Sequence, residues 1–238
     1  MKKITIILFL LVQTLGFGQT KQANQMNTWI TVSGNHKLTD KFSVYTMYSA
    51  RRNHFIENWQ QSVLRLGVNY DIKKNIVATL GYDWAVNFPY GEQPIAKTFT
   101  DHRIYEQLLL KNAIDRFAFT NGFRLEQRFL VNGIDMKYRN RFRYKLGLNV
   151  PLNHKEMEAN TFYVAASDEI FMNFGNGIAG HNFDQNWFEV DLGYQFNKNG
   201  KVQLGYMNQF LPKAYNLHVE NNHTFLISFI YNTDWRKK

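Results

Sequence analysis

Apolar and polar side chains alternate almost without a break over residues 116–152. Phe117, Phe119, Phe123, Leu125 and Phe129 share one face, and Thr120, Arg124, Glu126 and Arg128 share the other. Beyond the 131–136 connection, Tyr138, Phe142, Tyr144, Leu146 and Leu148 oppose Arg139, Arg141, Arg143 and Lys145. A period of two sustained this long predicts β-strands. Two such runs in succession predict an antiparallel hairpin with one aromatic face and one charged face.

The same pattern recurs along the chain. Strand-like segments are expected at 29–36, 42–52, 59–71, 76–88, 99–112, 116–130, 138–150, 161–171, 183–196, 202–211 and 218–231. Pro89, Pro94, Pro151 and Pro212 all fall at segment ends or in connections, where the missing donor breaks no ladder. Tight turns near 39–40, 73–74, 114–115 and 197–200 interleave with looser connections at 89–97 and 172–182. Short turns on one side and longer loops on the other are the asymmetry of outer-membrane barrels. Single-chain bacterial barrels have even strand counts, so the expectation is ten or twelve strands, with 29–36 read either as two short strands or as one misjudged piece.

Periodicity alone leaves open which face points inward, and a secreted sandwich or barrel would alternate too. Two features favour a membrane wall. The apolar face is aromatic on nearly every segment, as in Ile76, Leu80, Tyr82, Trp84 and Phe88 or in Phe188, Val190, Leu192, Tyr194 and Phe196, which would overfill a small barrel. The opposite face carries glycine, serine, glutamine and isolated charges, where a solvated face is denser in lysine and glutamate. The fold class expected is therefore all-β, a closed antiparallel up-and-down transmembrane β-barrel.

Composition sharpens this. Met1-Lys2-Lys3, an apolar run over 4–12 and small residues at the exit predict a signal peptide over 1–18, leaving one barrel domain over 19–238 and an outer-membrane location. Loss of two lysines lowers the formal charge from +9 to +7. The absence of cysteine excludes disulfides and thiolate sites. Aromatic residues at 16% against charged residues at 20% suit strands with a lipid-facing wall. Nucleic acid is not expected as a partner of a secreted chain; outer-membrane lipid is.

Several local stretches carry a resemblance. These are 64–70 (LRLGVNY) with Gly81-Tyr82, 102–107 (HRIYEQ), 123–128 (FRLEQR), 139–143 (RNRFR), Pro151-Leu152, 183–187 (FDQNW) and 204–206 (LGY). Together they resemble a family of uncharacterised outer-membrane β-barrels from bacteroidete-type bacteria, a domain-of-unknown-function family. The resemblance spans essentially the whole mature chain and implies barrel and location. It supplies no activity and no catalytic residue. Trp187 stands where the family often has arginine.

The inward-facing charges carry the chemistry. Arg51, Arg65, Arg124, Arg128, Arg139, Arg141, Arg143 and Lys145 are expected in the lumen, with Asp83, Glu126, Glu169, Glu189 and Asp191 as counter-charges. Paired, they would fill the lumen as a structural network. Unpaired, the excess of cations would line a narrow porin-like pore or pocket for small anionic solutes. No catalytic residue, cofactor or metal ligand is assigned. An enzyme with a rim active site is the alternative, and His181 with Asp184, His102 with Asp101 and Glu106, and Ser167 with Glu169 are its weak signals.

Overall fold

Each alternating run is cut by residues that turn the chain. The computed structural model describes residues 21–91, 95, 97–176, 178, 181–212 and 218–236, so the expected signal peptide and Pro94 lie outside the described residues. Asp115 and Gly133 adopt left-handed φ values of 53° and 64°. Two-residue hairpin loops require that conformation, and aspartate and glycine tolerate it. Two further turns are closed by side chains. Thr39 Oγ1 accepts from the Phe42 amide at 2.9 Å, and Asn197 Oδ1 accepts from the Gly200 amide at 2.7 Å.

Between the turns run β1 (Lys21–Lys37), β2 (Phe42–Asn53), β3 (Asn58–Lys73), β4 (Ile76–Asn87), β5 (Phe99–Ile114), β6 (Phe117–Asn132), β7 (Asp135–Pro151), β8 (Thr161–Phe174), β9 (Phe183–Gln195), β10 (Gly200–Pro212), β11 (His218–Tyr231) and the short β12 (Thr233–Asp234). The segment expected at 29–36 is the second half of one 17-residue strand. Its first half escapes a hydrophobic reading because Gln22 and Asn24 face out while Gln25 and Asn27 are buried inside.

Among the described residues the barrel has eleven long strands, within the expected ten to twelve but odd where an even count was expected. Neighbours in sequence pair antiparallel, and β1 closes on β11 in parallel, from Lys21↔His218 to Ser33↔Ile230. An odd count in an up-and-down barrel makes the first and last strands run the same way, so the closing pair must be parallel. The start of β1 and the end of β11 consequently lie at opposite rims. The rim where β1 starts, here the upper rim, also holds the connections after β2, β4, β6 and β8; the lower rim holds those after β1, β3, β5, β7 and β9. The expected loop asymmetry is only partial: the nine-residue β7–β8 loop lies at the lower rim, and the two-residue turn at Gly133 at the upper.

A latch finishes the seam at the lower rim. β12 adds to β1 through His36↔Thr233 and Lys37↔Asp234. Trp235 stacks on His36 with ring centroids 4.8 Å apart. Arg236 binds Asp234 through both carboxylate oxygens, at 2.9 and 2.6 Å, and reaches Asp40 at 2.5 Å. The hydrogen bonds from Arg236 hold the Asp234 carboxyl down to about 2.

The two faces of the wall are now assigned. Leu80, Leu192 and Leu204 are 60%, 57% and 54% exposed on the outside, while Asp83, Glu126, Arg141 and Arg143 on the inside are buried. Inside, rings lie flat across glycines of neighbouring strands. Tyr105 of β5 covers Gly81 of β4, its register partner, and Tyr163 of β8 covers Gly193 of β9. A Cβ at Gly81 would clash with the Tyr105 ring, whereas one at Gly122 would have no heavy atom nearer than 3.8 Å. Gly81→Val is therefore expected to cost about 1–3 kcal/mol of barrel stability by overpacking, and Gly122→Ala much less. Denaturant midpoints in detergent compare the two, and equal midpoints would show that the ring does not need the glycine.

Candidate lumen site

Strand register decides which inward charges meet. One rung of the barrel reads Arg65–Asp83–Arg103–Arg128–Arg139 from β3 to β7. The next reads Gly81–Tyr105–Glu126–Arg141–Asn173 from β4 to β8, and a third reads Gln107–Arg124–Arg143–Phe171 from β5 to β8. Three cross-strand arginine pairs thus face each other directly (Arg103↔Arg128, Arg128↔Arg139, Arg124↔Arg143), an arrangement that repels unless a carboxylate intervenes.

Carboxylates reach these pairs diagonally, one inward position away, while Asp83 and Glu126 also directly face Arg65 and Arg141. Asp101 binds Arg103 at 2.7 Å and Arg128 at 2.6 Å. Glu126 binds Arg141 at 2.6 Å and Arg143 at 2.8 Å, with Arg124 at 3.8 Å. Arg143 continues to Glu169 at 2.7 Å, and Arg141 to Asp184 at 3.0 Å. Asp83 receives Arg65 through two parallel bonds of 2.7 Å, the strong fork geometry, with Arg103 at 3.8 Å. Asp83, Asp101 and Glu126 carboxylates are fully buried in these contacts.

Aromatic rings brace the network. The Arg124 guanidinium lies 4.2 Å from the Tyr105 ring and donates two hydrogen bonds to Gln107 Oε1, at 2.9 and 2.6 Å. Arg143 lies 4.3 Å from the Phe171 ring, which packs on Trp187 at 4.6 Å. Such cation–π contacts gain strength where water is excluded.

The remaining expected residues are held more loosely. Lys145 meets Glu189 at 3.5 Å, and Ser167 lies 3.4 Å from the same carboxylate. Asp191 is buried but makes no ion pair among the described residues. Arg139, half-buried near the upper rim, and Arg51 likewise have no ion pair among the described residues. Arg51 instead donates to Gln61 Oε1 at 2.7 Å, and its guanidinium stacks 3.5 Å from the Trp29 ring and 5.6 Å from Trp187. Asp101, Arg103 and Asp184 lie outside the expected lumen set although they complete it. The first two share phase with Tyr105 and Gln107, so alternation would have placed them inward. Asp184 needed knowledge of the β8–β9 bulge at Phe171/Met172, which shifts the register there.

Three cavities flank the network. The largest, about 430 Å³, runs from Tyr90 of the β4–β5 connection, Gln209 and Asn222 past Trp29, Arg51 and Trp187 to Ser33, Gln203 and Ile230 towards the lower rim. A second of about 330 Å³ lies towards the lower rim by Asn35, Asp71 and Lys111, and a third of about 200 Å³ sits beside Thr120 and Gly122. Arg65 lines all three, and Lys145 and Arg143 line the first and third.

The histidine constellations do not assemble. His102 points outward and bonds the Tyr82 hydroxyl, while the preceding residue, Asp101, points inward to its arginines. Asp184 is engaged by Arg141 and Asn173, and the described contact of His181 is with the Phe183 ring. Ser167 meets Glu189 without a histidine.

A family model described as "Protein of unknown function (DUF2490)" matches residues 26–219. No curated protein and no solved structure matches the chain.

Proposed function

The chain belongs to the DUF2490 family of proteins of unknown function, and we propose that it is a bacteroidete-type outer-membrane β-barrel, porin-like in architecture, whose lumen is kept closed by fixed ion pairs. On this reading the largest lumen cavity retains small anionic solutes without passing them through. The observation that carries it is Arg65, which borders all three lumen cavities while locked to Asp83 by two 2.7 Å bonds. A cation so held cannot swing aside without leaving a fully buried carboxylate short of its partner, which opposes opening.

Membrane residence is supported by the continuous apolar outer wall, since water-soluble proteins rarely expose contiguous apolar patches beyond a few hundred Å². The Tyr82, Trp84 and Tyr138 side chains on that wall suit the headgroup boundary. Anion preference is supported by Arg51, the cavity-lining arginine without a carboxylate partner among the described residues.

Two measurements test the reading. Fractionation is expected to recover the mature chain with the outer membrane, released only by detergent; recovery in the soluble periplasm would end the membrane part. Liposomes carrying the purified barrel are expected not to swell in isosmotic solutions of small neutral or anionic solutes. Rapid swelling would mean that the ion pairs leave a path.

A further inference from the structure

The largest lumen cavity carries two kinds of unmet demand on one wall. At one level Arg51, Trp29 and Leu226 are successive register partners across β2, β1 and β11. Arg51 there has a stacked face, donates to Gln61 at 2.7 Å and to Ser49 at 3.5 Å, and has no carboxylate to meet its charge among the described residues. Its neighbours in the cavity, Arg65, Arg103, Arg128, Arg141 and Arg143, are all engaged with carboxylates. Lys145, which also lines the cavity, meets Glu189 at 3.5 Å, so among the described residues Arg51 is the cavity cation without a carboxylate.

The second level lies four residues along β1, where Gln25, Asn222 and Gln209 are register partners. That places it about 13 Å from the first along the strands, at roughly 3.3 Å per residue. Gln209 and Asn222 are 3% and 1% exposed, line the cavity, and keep Oε1 and Oδ1 without a hydrogen-bond partner. The orientation of the Asn222 amide is fixed, because its Nδ2 donates to Glu220 Oε1 at 3.0 Å. The atom left unpaired beside the cavity, closed off from water, is thus an acceptor. A buried acceptor left unmet costs free energy that a ligand hydroxyl recovers.

We infer that this cavity is a binding site for a small hydroxylated carboxylate, with the carboxylate on Arg51 and hydroxyl groups donating to Asn222 and Gln209. The inference rests on the proposed anion-retaining lumen and adds the requirement for donors. The cavity volume of about 430 Å³ falls within the range of small-molecule sites. The indole faces of Trp29 and Trp187, whose ring centroids are 5.3 Å apart, border the site and report on it.

The test is a tryptophan-fluorescence titration of the detergent-solubilised native barrel with three matched probes. Gluconate has charge and hydroxyls, hexanoate has the charge alone, and sorbitol has the hydroxyls alone. Gluconate is expected to give a saturable change at least about tenfold tighter than either, the factor a hydrogen bond or two to a charged or buried group supplies. Asn222→Leu is expected to bring gluconate down to the hexanoate level while leaving hexanoate unchanged. Arg51→Gln is expected to abolish both acid responses. If hexanoate binds as tightly as gluconate, or Asn222→Leu changes nothing, the donor requirement is overturned and simple anion retention stands. If a folded barrel responds to none of the probes, the retaining lumen falls with it. The comparison among probes uses the native protein, so a variant that fails to fold leaves the decision intact.

Discussion

Glu126→Gln is expected to lower the stability of the folded barrel by about 3 kcal/mol, the lower end of the range for breaking a buried ion pair. Glu126 is the carboxylate through which β6 satisfies Arg141 and Arg143 on β7 and approaches Arg124 on its own strand. An amide removes the charge and can accept at only one end. Arg141 would keep Asp184 and Arg143 would keep Glu169, which is why the loss stays near the lower end. Arg124, left with Gln107 and the Tyr105 ring, would bear most of it. Asp184→Asn is the matched control. Its carboxylate is 26% exposed and serves Arg141 alone among the arginines, so a loss below about 1 kcal/mol is expected. Guanidinium unfolding in detergent, followed by tryptophan emission, measures both. Equal losses would mean that Glu126 is one contact among many rather than the junction.

Removing Arg65 and Asp83 together, as Arg65→Ala with Asp83→Ala, is expected to turn a silent barrel into a conducting one. Deleting both partners leaves no orphaned carboxylate, so the fold should survive better than with Arg65→Ala alone. Arg103, which loses its 3.8 Å contact with Asp83, retains Asp101 at 2.7 Å. The space vacated by Arg65 joins the cavity below Tyr90 to the cavity that ends at Asp71 and Lys111 near the lower rim. With Arg103, Arg124 and Lys145 beside the opening, the current should prefer anions. Discrete steps reversed in sign of selectivity, or no steps from a folded double variant, would show that the partition lies elsewhere.

Much of the wall was legible because its side chains alternate between lipid-compatible and polar groups. The hairpin of β6 and β7 is readable from its phenylalanines and arginines alone. The first half of β1 was not, since Gln22 and Asn24 put no apolar stripe on its outer face. Closure was not legible either. The β1–β11 pairing is made by backbone groups whose register leaves no mark on side-chain type, and the usual even count argued against it. Within the lumen, phase placed the arginines on the inner face but not their partners. Glu126 and Arg143 are diagonal neighbours, and the facing pairs Arg124↔Arg143 and Arg128↔Arg139 read as repulsive until Asp101 and Glu169 are in place. Arg51 and Trp29 lie 22 positions apart in sequence numbering, and only the β1–β2 register stacks them.

Planar-bilayer recording of the native barrel tests the closed lumen most directly. A membrane that incorporates folded protein yet shows no discrete current steps, in chloride or gluconate salts, is the predicted result. Stable, anion-selective steps from the unmodified chain would contradict it, because they would require a continuous path past Arg65 while its bonds to Asp83 hold.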